Sequence, residues 1–275
     1  MTQCTVSSCT ASYYGGGLFN FASATVRQCY FSNDRAANGG GGAIWTENVF
    51  LEVDSSTLSE CRASAGGGIA NKAGKVALNN STISGCIAFT DGGGVFNGAF
   101  MEAGTVNMTC CTVCNNVSAG LGGGLRINAG AVNVRSSILG GNTASTGPDA
   151  AGTIVSMDYN LIEQTAGIIF TGTTIHNITR QSAGLLALGN NGGPTPTHAV
   201  PGNSAAVGHG DPALGPPFDL DQRGYRRKSP PDIGAYEFSG KQPATVELIN
   251  LVQTYDAPRR CGDHSAAESE HASDL

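Results

Sequence analysis

Gly92-Gly93-Gly94-Val95-Phe96-Asn97 decides the fold, because the stretch recurs. A glycine pair, a third Gly or Ala and an apolar residue return with the apolar position at Leu18, Ile44, Ile69, Val95 and Leu125, in steps of 26, 25, 26 and 30 residues. Two residues beyond these positions stand Asn20, Thr46, Asn71 and Asn97. A second element, a Ser, Thr or Cys pair before an apolar residue, reads Ser56-Thr57-Leu58, Ser81-Thr82-Ile83, Cys111-Thr112-Val113 and Ser136-Ser137-Ile138, with looser copies at Val6 and Val26. Three residues after its apolar position lie Cys9, Cys29, Cys61, Cys86 and Asn116. Flexible glycine linkers have no reason to keep phase with apolar residues, so the glycines punctuate a structural repeat.

Between the punctuation marks, Lys75-Val76-Ala77-Leu78 and Thr105-Val106-Asn107-Met108 alternate with a period of two, the signature of short strands. A helical repeat would lose about 1 kcal/mol for each interior glycine. The chain is therefore expected to be all-β, a parallel β-helix of coils of about 25 residues stacked about 4.8 Å apart. Two interior columns are predicted: Val6, Val26, Leu58, Ile83, Val113 and Ile138 in one, and Leu18, Ile44, Ile69, Val95 and Leu125 in the other.

Composition restricts the function. Of 275 residues 40 are glycine, only 13% are charged, and the formal charge is −6, which disfavours a basic nucleic-acid surface. No apolar run reaches the length of a membrane span, and the opening residues lack the pattern of a secretory signal, which is expected to be absent or already removed. The sequence begins inside a repeat, so further coils before it are expected. Residues 1–165 read as repeats, 166–238 as C-terminal coils and a cap, and 239–275 as a disordered tail containing one apolar run over 246–252.

The repeat motif resembles right-handed parallel β-helix proteins of bacterial surfaces, similar to the polymorphic outer-membrane repeat class. In the second half, Asn191-Gly192-Gly193-Pro194-Thr195-Pro196-Thr197-His198-Ala199, Gly202-Asn203-Ser204-Ala205-Ala206-Val207, Asp221-Gln222-Arg223-Gly224 and Asp232-Ile233-Gly234-Ala235-Tyr236-Glu237 resemble the choice-of-anchor Q domain. The two likenesses cover about residues 1 to 238. They imply a right-handed β-helix on secreted or surface-displayed, adhesin-like proteins, mostly without an assigned activity. The chain departs from them by placing Cys where the family commonly has Asn, and Ala205-Ala206-Val207-Gly208-His209-Gly210 where Pro-Ala-Ile-Asp-Ala-Gly is usual.

Few residues offer chemistry. Gly208-His209-Gly210 matches a tripeptide of β-helical pectin hydrolases, but inverting hydrolysis needs paired carboxyls, and no such pair stands in the repeats. Asp34 and Asp91, read as sharing a repeat position two coils apart, are expected to be solvated turn residues. Asp219, Asp221, Asp232 and Glu237 surround Arg223, Arg226 and Arg227 in sequence, which points to structural ion pairs rather than Ca²⁺. Cys110-Cys111-x-x-Cys114 lacks the partners of a zinc site. Cys9, Cys29, Cys61 and Cys86 are expected to stack as one column of mostly reduced, buried thiols. Thr57, Thr82 and Thr112 supply one Thr per coil, where an ice-binding face needs a regular Thr-x-Thr array. No cofactor or metal is expected. The reading is a monomeric, non-catalytic extracellular or cell-surface module, a stalk or binding surface contacting carbohydrate or a partner protein. A carbohydrate-active enzyme of the pectin-degrading type is the alternative. Aromatic residues in line down one face would favour polymer binding, and a cleft of three or more acids the enzyme.

Overall fold

The computed structural model describes residues 1–242; most of the expected tail, including the apolar run over 246–252, lies outside the described residues. The described chain is all-β without an α-helix and winds as a parallel β-solenoid in coils of about 26 residues. One coil gives the plan. Thr57–Ser59 forms a first face and Arg62–Ala63 a second, Gly66-Gly67-Gly68 turn the chain into a third, Ile69–Lys72, and Lys75–Asn79 forms the fourth before Thr82–Ser84 opens the next coil. Each strand pairs in parallel with its counterparts above and below: Leu58 opposes Phe31 and Ile83, Ile69 opposes Ile44 and Val95, and Val76 opposes Leu51 and Val106. Because alternate side chains face opposite ways, each register column stays inside or outside through the whole stack.

The glycine corners are steric necessities. Gly92 has φ of +70°, and a Cβ on Gly93 would run into the carbonyl oxygen of Gly123 in the next coil, an approach that only glycine permits. The column Leu18, Ile44, Ile69, Val95 and Leu125 is present as expected. The other expected column is corrected at two places. Its members are Val6, Phe31, Leu58, Ile83, Val113, Leu139 and Ile162. Val26 belongs to the fourth face, in line with Val53, Leu78, Met108 and Val134. Ile138 faces outward between Thr112 and Leu161. Where the motif reads Ser136-Ser137-Ile138, the true frame is Ser137-Ile138-Leu139, and two consecutive apolar residues hid the one-residue slip that exchanges the faces.

The cysteines divide likewise. Cys9, Cys61 and Cys86 share one corner column with Asp34, Asn116 and Asn142, as the pairing of the residues after them fixes. Cys29 is not in it: it stands before Tyr30 as Cys4, Ser56, Ser81, Cys111 and Ser137 stand before their own first-face residues. Both columns are hydrogen-bonded ladders in which a side-chain oxygen accepts the backbone N–H of the coil before it: Ser56 Oγ from Cys29 at 3.0 Å, Ser137 Oγ from Cys111 at 3.0 Å, Asn116 Oδ1 from Cys86 at 2.9 Å and Asn142 Oδ1 from Asn116 at 2.9 Å. They satisfy corner amides that no strand partner reaches. The cysteines of the described residues are free thiols. Burial pushes Cys111 up to about 12, so this thiol stays protonated.

The coils run to the end of Ile178–Thr179, which pairs with Leu161–Ile162. Where the sequence suggested further coils and a cap, residues 181–242 instead turn back along the outside of the first face. Apart from one antiparallel strand pair, Leu188–Gly189 with Thr197–His198, and the antiparallel bridges of Arg226 to Leu220 and Lys241, this flank is irregular. Its Ala183, Val200, Ala206 and Ile233 bury the outward-facing Ile138 and Leu161 in a second core. Further along, Gln222 accepts a bond from Thr82 Oγ1 at 2.6 Å and donates to Thr57 Oγ1 at 2.7 Å, while Ala235 N–H donates to Thr112 Oγ1 at 3.1 Å. The Thr57, Thr82 and Thr112 row is thus a covered docking surface rather than a face open to ice.

Candidate functional site

Most of the residues singled out in the sequence are part of the scaffold. Asp221 and Arg223 form a buried ion pair at 2.6 Å, with the guanidinium between the Tyr225 and Tyr236 rings at 4.2 and 3.6 Å from their centroids. Asp232 accepts the N–H groups of Gly208 and Phe238, and Glu237 those of Lys228 and Asp232. Burial raises the pKa of both carboxyls, yet their oxygens are already engaged by the backbone. Asp34 is corrected from solvated to fully buried, accepting Cys9 N–H at 2.9 Å, and burial raises its pKa. Asp91 lies in another column, at a glycine corner, where it accepts Leu121 N–H at 2.7 Å. His209 is exposed, and its imidazole Nδ1 lies 2.8 Å from the Val207 carbonyl. Cys110, Cys111 and Cys114 are buried, with Cys111 donating to the Leu78 carbonyl and Cys114 to Ser84 Oγ on the opposite face of its strand. Among the described residues no group of three or more His, Cys, Asp or Glu is placed to hold a metal ion.

The third face carries what the motifs did not mark. Its outward column reads Phe19, Trp45, Ala70, Phe96 and Arg126 in five successive coils. Two irregular segments bring further rings to it. Tyr13-Tyr14 precedes the first glycine corner, and Tyr14 lies against Trp45 with ring centroids 4.2 Å apart. The other is the four-residue excess of the 30-residue step: Ala99–Met101 forms a 3₁₀ turn that places Phe100 edge-on to Trp45 at 6.0 Å and to Tyr14 at 6.3 Å. Phe100 and Met101 hold φ of +56° and +63°, a region that bulky residues rarely occupy. Such strain marks positions fixed by something other than local preference.

The rings leave a cavity of about 290 Å³ between Tyr14, Trp45, Phe96 and Phe100 on one side and Gly39, Gly40, Ser64 and Ala65 on the other. In this column one small residue, the buried Ala70, separates Trp45 from Phe96. Trp45 is 2% exposed and forms part of the wall, whereas Phe100, Phe19 and Phe21 are 63%, 42% and 72% exposed. Beside the rings Lys72 Nζ lies 2.7 Å from Glu47 and 3.5 Å from Glu102, and 5.6 Å from the Phe100 ring centroid. The Lys72 ammonium holds Glu47 below the usual carboxylate range, and Glu47 in turn raises Lys72. The arrangement can stack flat apolar surface and exchange hydrogen bonds at one edge. Comparison with known protein families, curated proteins and solved structures yields no match for this chain.

Proposed function

We propose that the protein is a non-catalytic binding module of the cell exterior whose third face holds carbohydrate. The observation that carries this reading is the row of exposed rings along the solenoid, Phe19, Phe21 and Phe100 around the Tyr14–Trp45 pair, beside a cavity at the lower end of ligand-sized clefts. A sugar ring presents an apolar C–H face and a hydroxyl edge, which suits aromatic surface next to carboxylates. Exposed apolar surface of this extent is a usual mark of an interaction site. The placement outside the cell rests on the resemblance of residues 191–237 to surface-anchored domains, and an extracellular polymer is the partner consistent with it.

Native gel electrophoresis through soluble polysaccharides tests the proposal. Retardation by at least one polymer is expected, and Phe100→Ala is expected to weaken it about tenfold, equivalent to about 1.4 kcal/mol. Retardation unchanged in Phe100→Ala and in Tyr14→Ala would remove the site from the third face. Polymer cleavage during the run would replace a binding module with an enzyme.

A further inference from the structure

On the reading that the third face binds carbohydrate, we infer that its ligand is a neutral glycan chain lying along the solenoid axis, and not an acidic polysaccharide. Direction follows from the architecture. Phe19 and Phe96 stand three coils apart in one register column, with the buried Trp45 between them under Tyr14 and Phe100, so the ring surface runs along the axis for about 14 Å from Phe19 to Phe96. A chain crossing the face at right angles would meet the rings of one coil, Tyr14, Phe19 and Phe21 or else Phe96 and Phe100, and leave the other set unused.

Charge supplies the selectivity. The cation beside the rings, Lys72, is held between Glu47 and Glu102. Arg126, at the far end of the column, donates to Asn128 Oδ1 at 3.2 Å and to the Ala151 carbonyl at 3.5 Å. Arg35 and Arg62 lie on the second face and do not line the cavity. A uronate carboxylate entering beside the rings would therefore meet two carboxylates and one ammonium already committed to them. Hydroxyl groups meet acceptors instead: Glu47 and Glu102 accept hydrogen bonds from them without any charge having to be neutralised.

The same electrophoresis, run with a soluble neutral β-glucan and with polygalacturonate, decides between the ligands. The wild-type chain is expected to be retarded by the β-glucan, more weakly in Phe100→Ala, and not by polygalacturonate. A tetrasaccharide is expected to compete at least tenfold better than the matching disaccharide, because only the longer chain spans the column. The double variant Glu47→Gln, Glu102→Gln releases Lys72 and is expected to gain retardation by polygalacturonate that disappears at high salt. Phe100-dependent retardation of the wild type by polygalacturonate as strong as by the β-glucan overturns the neutral selectivity and leaves the aromatic site standing. Equal competition by disaccharide and tetrasaccharide overturns the axial placement. Retardation by polygalacturonate that survives Phe100→Ala assigns acid binding to another surface such as Arg35 and Arg62. Retardation by neither polymer defeats both this inference and the carbohydrate reading beneath it.

Discussion

Residues 1–179 and 181–242 are held by different means. In the coils each interior apolar column repeats the same kind of side chain, and stability comes from residues such as Phe31, Leu58, Ile83 and Val113 that bury one another. Every coil contributes a similar amount, as in other quasi-one-dimensional stacks. The flank has one small apolar patch, around Ile138 and Ile233, and otherwise relies on Gln222, the Asp221–Arg223 pair, and Arg227 donating to the Gly234 carbonyl at 2.8 Å and to Asn80 Oδ1 at 3.1 Å. The lesson is that repetition can carry a β-structure on hydrophobic pattern alone, whereas a non-repeating segment laid across it needs individually matched polar partners.

If that contrast is right, the largest effect comes from charging the shared column. Ile83→Asp places an unpaired carboxylate among Leu58 and Val113 and is expected to cost more than about 4 kcal/mol. Circular dichroism should find no cooperative unfolding of a native β-structure. A soluble variant that unfolds like the wild type would show that the column is not shared core.

Arg223→Ala leaves the buried Asp221 carboxylate without its counter-charge and is expected to cost about 3–5 kcal/mol, confined to the flank. Hydrogen exchange should accelerate over residues 181–242 while the coil amides stay protected. Acceleration of both regions together would mean that coils and flank form one cooperative unit.

The third effect depends on pH. Asp149 accepts Asn142 Nδ2–H at 2.9 Å, and burial pushes its carboxyl up to about 6 from 3.8. The folded form then binds a proton that the unfolded chain has released, so this group's contribution is greatest below about pH 4, falls as pH rises to about 6, and is constant above. The difference is of the order of 3 kcal/mol. Urea denaturation of Asp149→Asn should show a shallower loss of stability between these limits. An unchanged slope would assign the pH dependence to other carboxyls.

The smallest expected effect on stability belongs to the functional face. Phe100→Ala should change stability by less than about 1 kcal/mol, because its ring is mostly exposed, while weakening polymer retention as described above. Thermal denaturation beside the binding assay separates the two. A large loss of stability would recast Phe100 as packing for Trp45.

The coil length, the glycine corners and the column through Ile44, Ile69 and Val95 were legible in the sequence because a stacked repeat converts equal spacing into spatial contact. Frame errors arose where the spacing criterion had two solutions, at Val26 and at Ser137-Ile138-Leu139, and a period-two structure turns a slip of one residue into an exchange of inside and outside. The same ambiguity separates Cys29 from the ladder its spacing suggests, since two corner columns in each coil accept a small polar or thiol side chain. The aromatic face left one signal that could have been used. The 30-residue step between Val95 and Leu125 announces an insertion, and that insertion carries Phe100.

What the sequence determined by itself is therefore whatever the repeat enforces: an all-β solenoid, its period, its glycine turns and most of its interior. Tertiary structure alone decided that residues 181–242 return along the first face, that Thr57, Thr82 and Thr112 are covered by Gln222 and Ala235, and that Tyr14 and Phe100 meet over Trp45. The physical reason is the range of the contacts. Repeat contacts join residues one coil apart and imprint a period, but Gln222 reaches Thr57 across 165 residues and Phe100 lies 55 residues beyond Trp45, separations that leave no periodic trace in the chain.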